Sequence, residues 1–89
     1  MIEIVVADQG WVFIGRTSDS FKDLDFGYQI KNALCIRVWG TKKGLGQLRW
    51  GPTENTICDY MGTLHVKNVL FTMQVNQDAW EKWIEDSST

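Results

Sequence analysis

The chain has 89 residues, a formal charge of −2 and 44% apolar residues, enough for one small domain whose core is marginal on its own. The slight negative charge argues against non-specific binding of long DNA or RNA, which needs a broad basic face. No run reaches the roughly 18 apolar residues of a membrane span. Residues 1–7 also lack the basic start and long apolar stretch of a secretory signal. The expected setting is therefore the cytoplasm, without a membrane partner, where Cys35 and Cys58 are reduced thiols.

Ile2 to Ala7 is a β-branched apolar run, and Trp11 to Thr17 resumes the pattern after Asp8-Gln9-Gly10. Two such runs around a short Gly-containing turn predict a hairpin. Thr17 to Asp25 is polar and acidic and reads as a loop; the spacing of Asp19, Asp23 and Asp25 lacks the calcium-loop pattern. Tyr28 to Lys31 and Leu34 to Trp39 are strand-like, with a turn or bulge at Lys31-Asn32-Ala33. Gly40 to Asn55 is a long irregular stretch, of the kind that is often functional; within it Gln47 to Trp50 is a candidate short strand. Thr56 to Tyr60, Thr63 to Lys67 and Val69 to Val75 return to strand character. Asn76 is a candidate N-cap with Asp78 in the first turn. Ala79, Trp80, Trp83 and Ile84 then form the apolar stripe of a short helix.

The predicted fold is mainly β (α+β): a small antiparallel sheet or partly open barrel of six or seven short strands with one C-terminal helix. It is expected as a single domain over 1–86 with a disordered tail over 87–89. Antiparallel pairing follows from connections too short for crossovers.

Charge is distributed unevenly. Residues 26–53 hold no acid but carry Lys31, Arg37, Lys42, Lys43 and Arg49, whereas the rest holds all eleven carboxylates and four bases. The same segment contains Trp39, Trp50 and five of the eight glycines. Cations, flat rings and glycine-exposed N–H groups suit a ligand made of phosphate and base. In this reading Trp39 and Trp50 stack on bases. Arg37, Lys42, Lys43 and Arg49 pair with phosphates, and Thr41 and Thr53 supply hydroxyl hydrogen bonds. Gly44 and Gly46 let backbone N–H groups approach an anion. The alternative is that both tryptophans are core, the lysines a solvated loop tip, and Arg37 the cross-strand partner of a carboxylate. Gly44-Leu45-Gly46 lies in no strand-to-helix context, so neither a Rossmann nor a P-loop reading is supported.

Cys35, Cys58 and His65 are the only soft metal ligands and fit no zinc spacing. No convincing nucleophile–base pair is present. The expectation is no catalysis, no cofactor and no metal. Trp80 and Trp83 read as a lid on the core or as packing against a second protomer.

Gly10-Trp11-Val12-Phe13-Ile14-Gly15, the Asn32-Ala33 strand running to Trp39, Gly44-Leu45-Gly46, Gly51-Pro52-Thr53 and the closing Val75-Asn76-Gln77-Asp78-Ala79-Trp80 resemble small proteins of tailed bacteriophages. The likeness covers about Asp8 to Trp83. It implies an anti-defence setting in the host bacterial cytoplasm, where compact oligomers sequester cyclic nucleotide immune signals. The expected function is such a sponge, a homo-oligomer holding a small nucleotide without cleaving it. The alternative is a protein-binding inhibitor or adaptor steered to a host defence protein by its polarised charge; a hydrolase is the weakest reading.

Overall fold

The computed structural model describes residues 1–18, the backbone of 22–23, and residues 27–87. It is mainly β, with one antiparallel sheet and a C-terminal helix. Strands β1 (Ile2–Ala7) and β2 (Val12–Arg16) form the expected hairpin around a 3₁₀ turn at Asp8–Gly10. The turn takes left-handed backbone at Gln9 and Gly10. β3 (Lys22–Asp23), β4 (Gly27–Val38), β5 (Ile57–Val66) and β6 (Val69–Gln74) complete the sheet. Its order is β3-β4-β2-β1-β6, with β5 on the other edge of β4. Helix α1 (Gln77–Ser87) follows.

Three boundaries differ from expectation. Lys22–Asp23 pairs with Gly27 and Tyr28, so part of the acidic loop is strand; Asp19 and Asp25 lie outside the described residues. The two strands expected over Thr56–Lys67 are one, bent at Gly62, where φ is +75°. Ser87 closes the helix instead of opening a disordered tail, and residues 88–89 lie outside the described set.

The bend sets the architecture. β5 ends opposite Tyr28, while β6 begins opposite Ala7. Only Lys67 and Asn68 connect them, and three Cα steps span at most about 11 Å. The distal half of the β4–β5 hairpin must therefore fold back over the sheet. It does so where the β4–β5 register shifts between Ile30 and Ala33, at Asn32 with φ +53°. This is the bulge expected at Lys31-Asn32-Ala33. Gly15 lies under the fold: a Cβ there would overlap the Ile30 side chain.

Folding back gives the sheet two covered faces, which is why all six residues of β1 are buried and the strand reads as an unbroken apolar run. One face carries Ile2, Ile4, Val12, Ile14, Leu34 and Ile36 under Leu48, Trp80 and Ile84. The other packs Val5, Ala7, Phe13 and Cys35 against Ile30 and Val66 of the returning arm. Glu3, buried on that face, accepts the Thr17 hydroxyl.

Helix α1 starts as expected, with Asn76 Oδ1 accepting the Ala79 N–H at 3.1 Å. Gln77 then bonds Ile2 like a strand neighbour: Oε1 accepts its N–H at 2.6 Å and Nε2 donates to its carbonyl at 2.9 Å. Arg16 clamps Glu81 through two hydrogen bonds of 2.8 and 2.6 Å. No helix among the described residues is long and apolar enough to cross a membrane.

Candidate functional site

The connection between β4 and β5 crosses the helix-covered face. Its ends are locked by threonines. Thr53 Oγ1 donates to the Gly40 carbonyl at 2.7 Å, and Thr56 Oγ1 to the Trp39 carbonyl at 2.7 Å while accepting the Thr53 N–H at 2.8 Å. Gly40 has φ +69° and sits against the Asn55–Thr56 backbone, where a Cβ would overlap. Residues 45–50 form a 3₁₀ segment, Leu45–Trp50, not the expected short strand at Gln47–Trp50. Leu48 is its anchor. That side chain is fully buried, and its carbonyl accepts the Trp80 indole N–H at 2.7 Å. The Asn76 N–H donates to the Arg49 carbonyl at 2.7 Å. With Leu48 pointing inward, Arg49 and Trp50 are turned to solvent.

The result is a cleft of about 610 Å³ lined by Lys42, Lys43, Gly46, Gln47, Arg49, Trp50 and Met73. Trp50 is 67% exposed. The Arg49 guanidinium carbon lies 4.7 Å from the centre of its ring, a cation–π contact that positions both side chains. Among the described residues no carboxylate forms an ion pair with Lys42, Lys43 or Arg49, so their charge is directed into the cleft and the solvent before it.

Of the eight residues expected at the site, Lys42, Lys43, Arg49 and Trp50 come together here. Trp39 is 40% exposed and does not line the cleft. Arg37 is paired across the sheet with Asp59, at 2.9 Å from Nε to Oδ2, the cross-strand alternative. Thr41 Oγ1 donates to the Gly44 carbonyl at 2.7 Å, and Thr53 holds Gly40. Both hydroxyls thus shape the loop. Sequence reasoning missed Gln47 and Met73. A glutamine in a loop gives no signal, and Met73 belongs to a strand 30 residues from Lys43 in the sequence.

On the opposite face Trp11 and Phe13 stack, with ring centres 6.0 Å apart and planes 2° from parallel. They border an apolar groove of about 340 Å³ with Met61 and Leu64.

The cysteines are free and packed, with Cys35 buried on one face and Cys58 partly buried on the other. Burial pushes the Cys58 thiol up to about 11. The Trp83 indole N–H, which is buried without a hydrogen-bond partner of good geometry, opposes part of that rise. Burial also raises Cys35, with Asp59 adding to the rise and Arg37 opposing it. Neither thiol is activated as a nucleophile. Among the described residues no cluster of three His, Cys, Asp or Glu could hold a metal ion.

Compared with protein-family models, curated proteins and solved structures, the chain matches none.

Proposed function

We propose that this chain binds a small nucleotide without cleaving it, as a phage-type anti-defence protein that sequesters a cyclic oligonucleotide signal in the host cytoplasm. The single observation that supports the binding is the exposed Trp50 indole, backed by Arg49 and set beside Lys42 and Lys43 in one acid-free cleft. A base stacks on the free face of Trp50, and phosphates face the three cations. The phage setting rests on the sequence resemblance.

Magnitudes favour an oligomer. One stacked base contributes roughly 1–3 kcal/mol, and each exposed ion pair about 0.2–1 kcal/mol. Together these fall short of the about 8 kcal/mol of a micromolar complex, so tight capture calls on a second copy. The β6 edge suits that copy. Among the described residues β6 has no outer strand neighbour, and its sequence Val-Leu-Phe-Thr-Met-Gln carries no charge. Leu70 and Phe71 are exposed on it. Such an edge invites pairing, and a strand without charges meets its own two-fold copy without repulsion. Antiparallel pairing of two β6 strands keeps both Met73-lined clefts on one side of the joined sheet.

Isothermal titration with a panel of cyclic di- and trinucleotides is the test. Stoichiometric micromolar binding that Trp50→Ala weakens by about five- to 150-fold is expected, with the nucleotide recovered intact. No heat with any member, or a cleaved product, overturns the proposal.

A further inference from the structure

The backbone N–H groups of Lys42 and Lys43 converge on one acceptor, Oε1 of Gln47, at 3.2 and 3.0 Å. Two successive main-chain donors aimed at a single oxygen make the concave arrangement that receives anions in phosphate-binding loops. Here a neutral carboxamide fills it. The loop around the pair has its own hydrogen bonds: the Gly44 carbonyl accepts the Thr41 hydroxyl at 2.7 Å and the Gln47 N–H at 3.3 Å. Gly44 supplies the left-handed turn, φ +85°, with open space where a Cβ would stand. Lys42, Lys43 and Gln47 line the same cleft as Trp50.

We infer that the Lys42–Lys43 N–H pair is a phosphate subsite of the cleft, and that Gln47 occupies it as an internal stand-in which a ligand phosphate displaces. The ligand's identity as a nucleotide rests on the function proposed above; the anion subsite does not.

The energetics of displacement make Gln47 a competitor that sets the affinity threshold of the subsite. A hydrogen bond to a charged oxygen is about twice as strong as one to a neutral oxygen, so a phosphate wins the two donors in a direct exchange. Gln47 is tethered, however, and competes at a high effective concentration. A free anion must overcome that competition with charge alone. A nucleotide adds stacking on Trp50, which inorganic phosphates lack. The carboxamide therefore lowers affinity for every anion alike, and only a ligand that also stacks on Trp50 recovers the loss.

Titration of inorganic pyrophosphate into the wild type, Gln47→Ala and Gln47→Glu, with amide shifts of Lys42 and Lys43 followed by NMR, tests this. Gln47→Ala empties the subsite and is expected to bind pyrophosphate about fivefold more tightly than the wild type; Gln47→Glu fills it with a carboxylate and is expected to bind about tenfold more weakly. Equal affinities in all three proteins, weaker binding by Gln47→Ala, or unmoved Lys42 and Lys43 amides overturn the inference. If the ligand-free spectrum shows that Gln47→Ala disorders the loop, the amides decide: on pyrophosphate addition those of Lys42 and Lys43 should shift in the wild type and stay in place in Gln47→Glu, and the same shift in both proteins overturns the inference. Nucleotide binding that depends on Trp50 but not on Gln47 refutes the subsite alone. The expected pyrophosphate series with no nucleotide binding supports the subsite and refutes the nucleotide. No pyrophosphate binding by any of the three overturns the subsite.

Discussion

Trp80 donates its indole N–H to the carbonyl of Leu48 across 2.7 Å, and neither residue is exposed to solvent. That bond ties the C-terminal helix to the 3₁₀ segment and fixes which side chains of the β4–β5 connection face outward. Trp80→Phe keeps most of the volume and removes one of two hydrogen bonds on the Leu48 carbonyl, which the Gly51 N–H still holds at 3.1 Å, an expected cost of about 0.5–1.5 kcal/mol. Urea unfolding measures it. Because the same change removes one of the ties on the segment carrying Arg49 and Trp50, which the Asn76 N–H to Arg49 carbonyl bond still holds, ligand affinity is expected to fall modestly as well. A variant with unaltered unfolding midpoint would separate the helix from the cleft.

The Arg16–Glu81 pair sets an acid limit. The hydrogen bonds from Arg16 hold the Glu81 carboxyl below its ordinary value of 4.5, with charge attraction to Arg16 adding to the effect. A folded-state value below the unfolded one means the contribution is present above pH 4.5 and is lost as pH falls through the depressed value. The pair is solvent-exposed in part, so the effect is small. The expected signature is a difference between wild type and Glu81→Gln that is constant at neutral pH and vanishes in acid, measured by thermal unfolding from pH 2 to 7. A difference that persists at pH 2 would mean Glu81 acts through packing.

Most strands and the helix were legible because their signals are local: period-two and β-branched runs for the strands, and Asn76 followed by the Trp80–Ile84 stripe for the helix. The fold-back was not. It depends on Asn32 and Gly62 bending a paired hairpin, and nothing near either residue in the sequence says that Val66 returns to Ala7. The site was half legible. An acid-free stretch with two indoles marked the right loop, and Lys42, Lys43, Arg49 and Trp50 do converge. Trp39 and Arg37 share its composition but sit where the strand ends, with Arg37 bonded to Asp59 across the sheet, and the outward turn of Arg49 and Trp50 follows from the burial of Leu48, which composition does not report.

The cysteines are expected to resist alkylation. With its thiol value pushed from 9.0 to about 11, Cys58 carries almost no thiolate at pH 8. Reaction with iodoacetamide should be far slower in the native protein than in urea, and should accelerate only as pH approaches 11. Linkage has the opposite sign from Glu81: the folded state keeps the proton that the unfolded chain loses above pH 9, so stability falls as pH rises through that window. Native Cys58 reacting as fast as a free thiol at pH 8 would contradict the burial assigned to it.

The loop glycines are expected to differ sharply. Gly40→Ala forces a Cβ into the Asn55–Thr56 backbone from a left-handed residue, at a cost of about 2 kcal/mol or more. Gly46 has no positive φ, and a Cβ there meets nothing within 4 Å. Gly46→Ala should leave thermal stability unchanged, and any effect on ligand affinity then reports the cleft alone.

Trp50 offers the cleanest separation of binding from folding. Its side chain is mostly in solvent, so Trp50→Ala should leave the unfolding midpoint within error, whereas substitution of the buried Trp80 should not. Loss of one base stack of roughly 1–3 kcal/mol corresponds to about five- to 150-fold weaker nucleotide binding. Trp39→Ala should bind as the wild type does, because its ring does not line the cleft. Salt provides a second axis. Screening weakens the pairing of Lys42, Lys43 and Arg49 with phosphate but leaves stacking in place, so the affinity ratio between wild type and Trp50→Ala should hold as sodium chloride rises from 50 to 500 mM while both affinities decline. A ratio that collapses with salt would mean that Trp50 serves only to position Arg49, and that the ligand is held by charge without a stacked base.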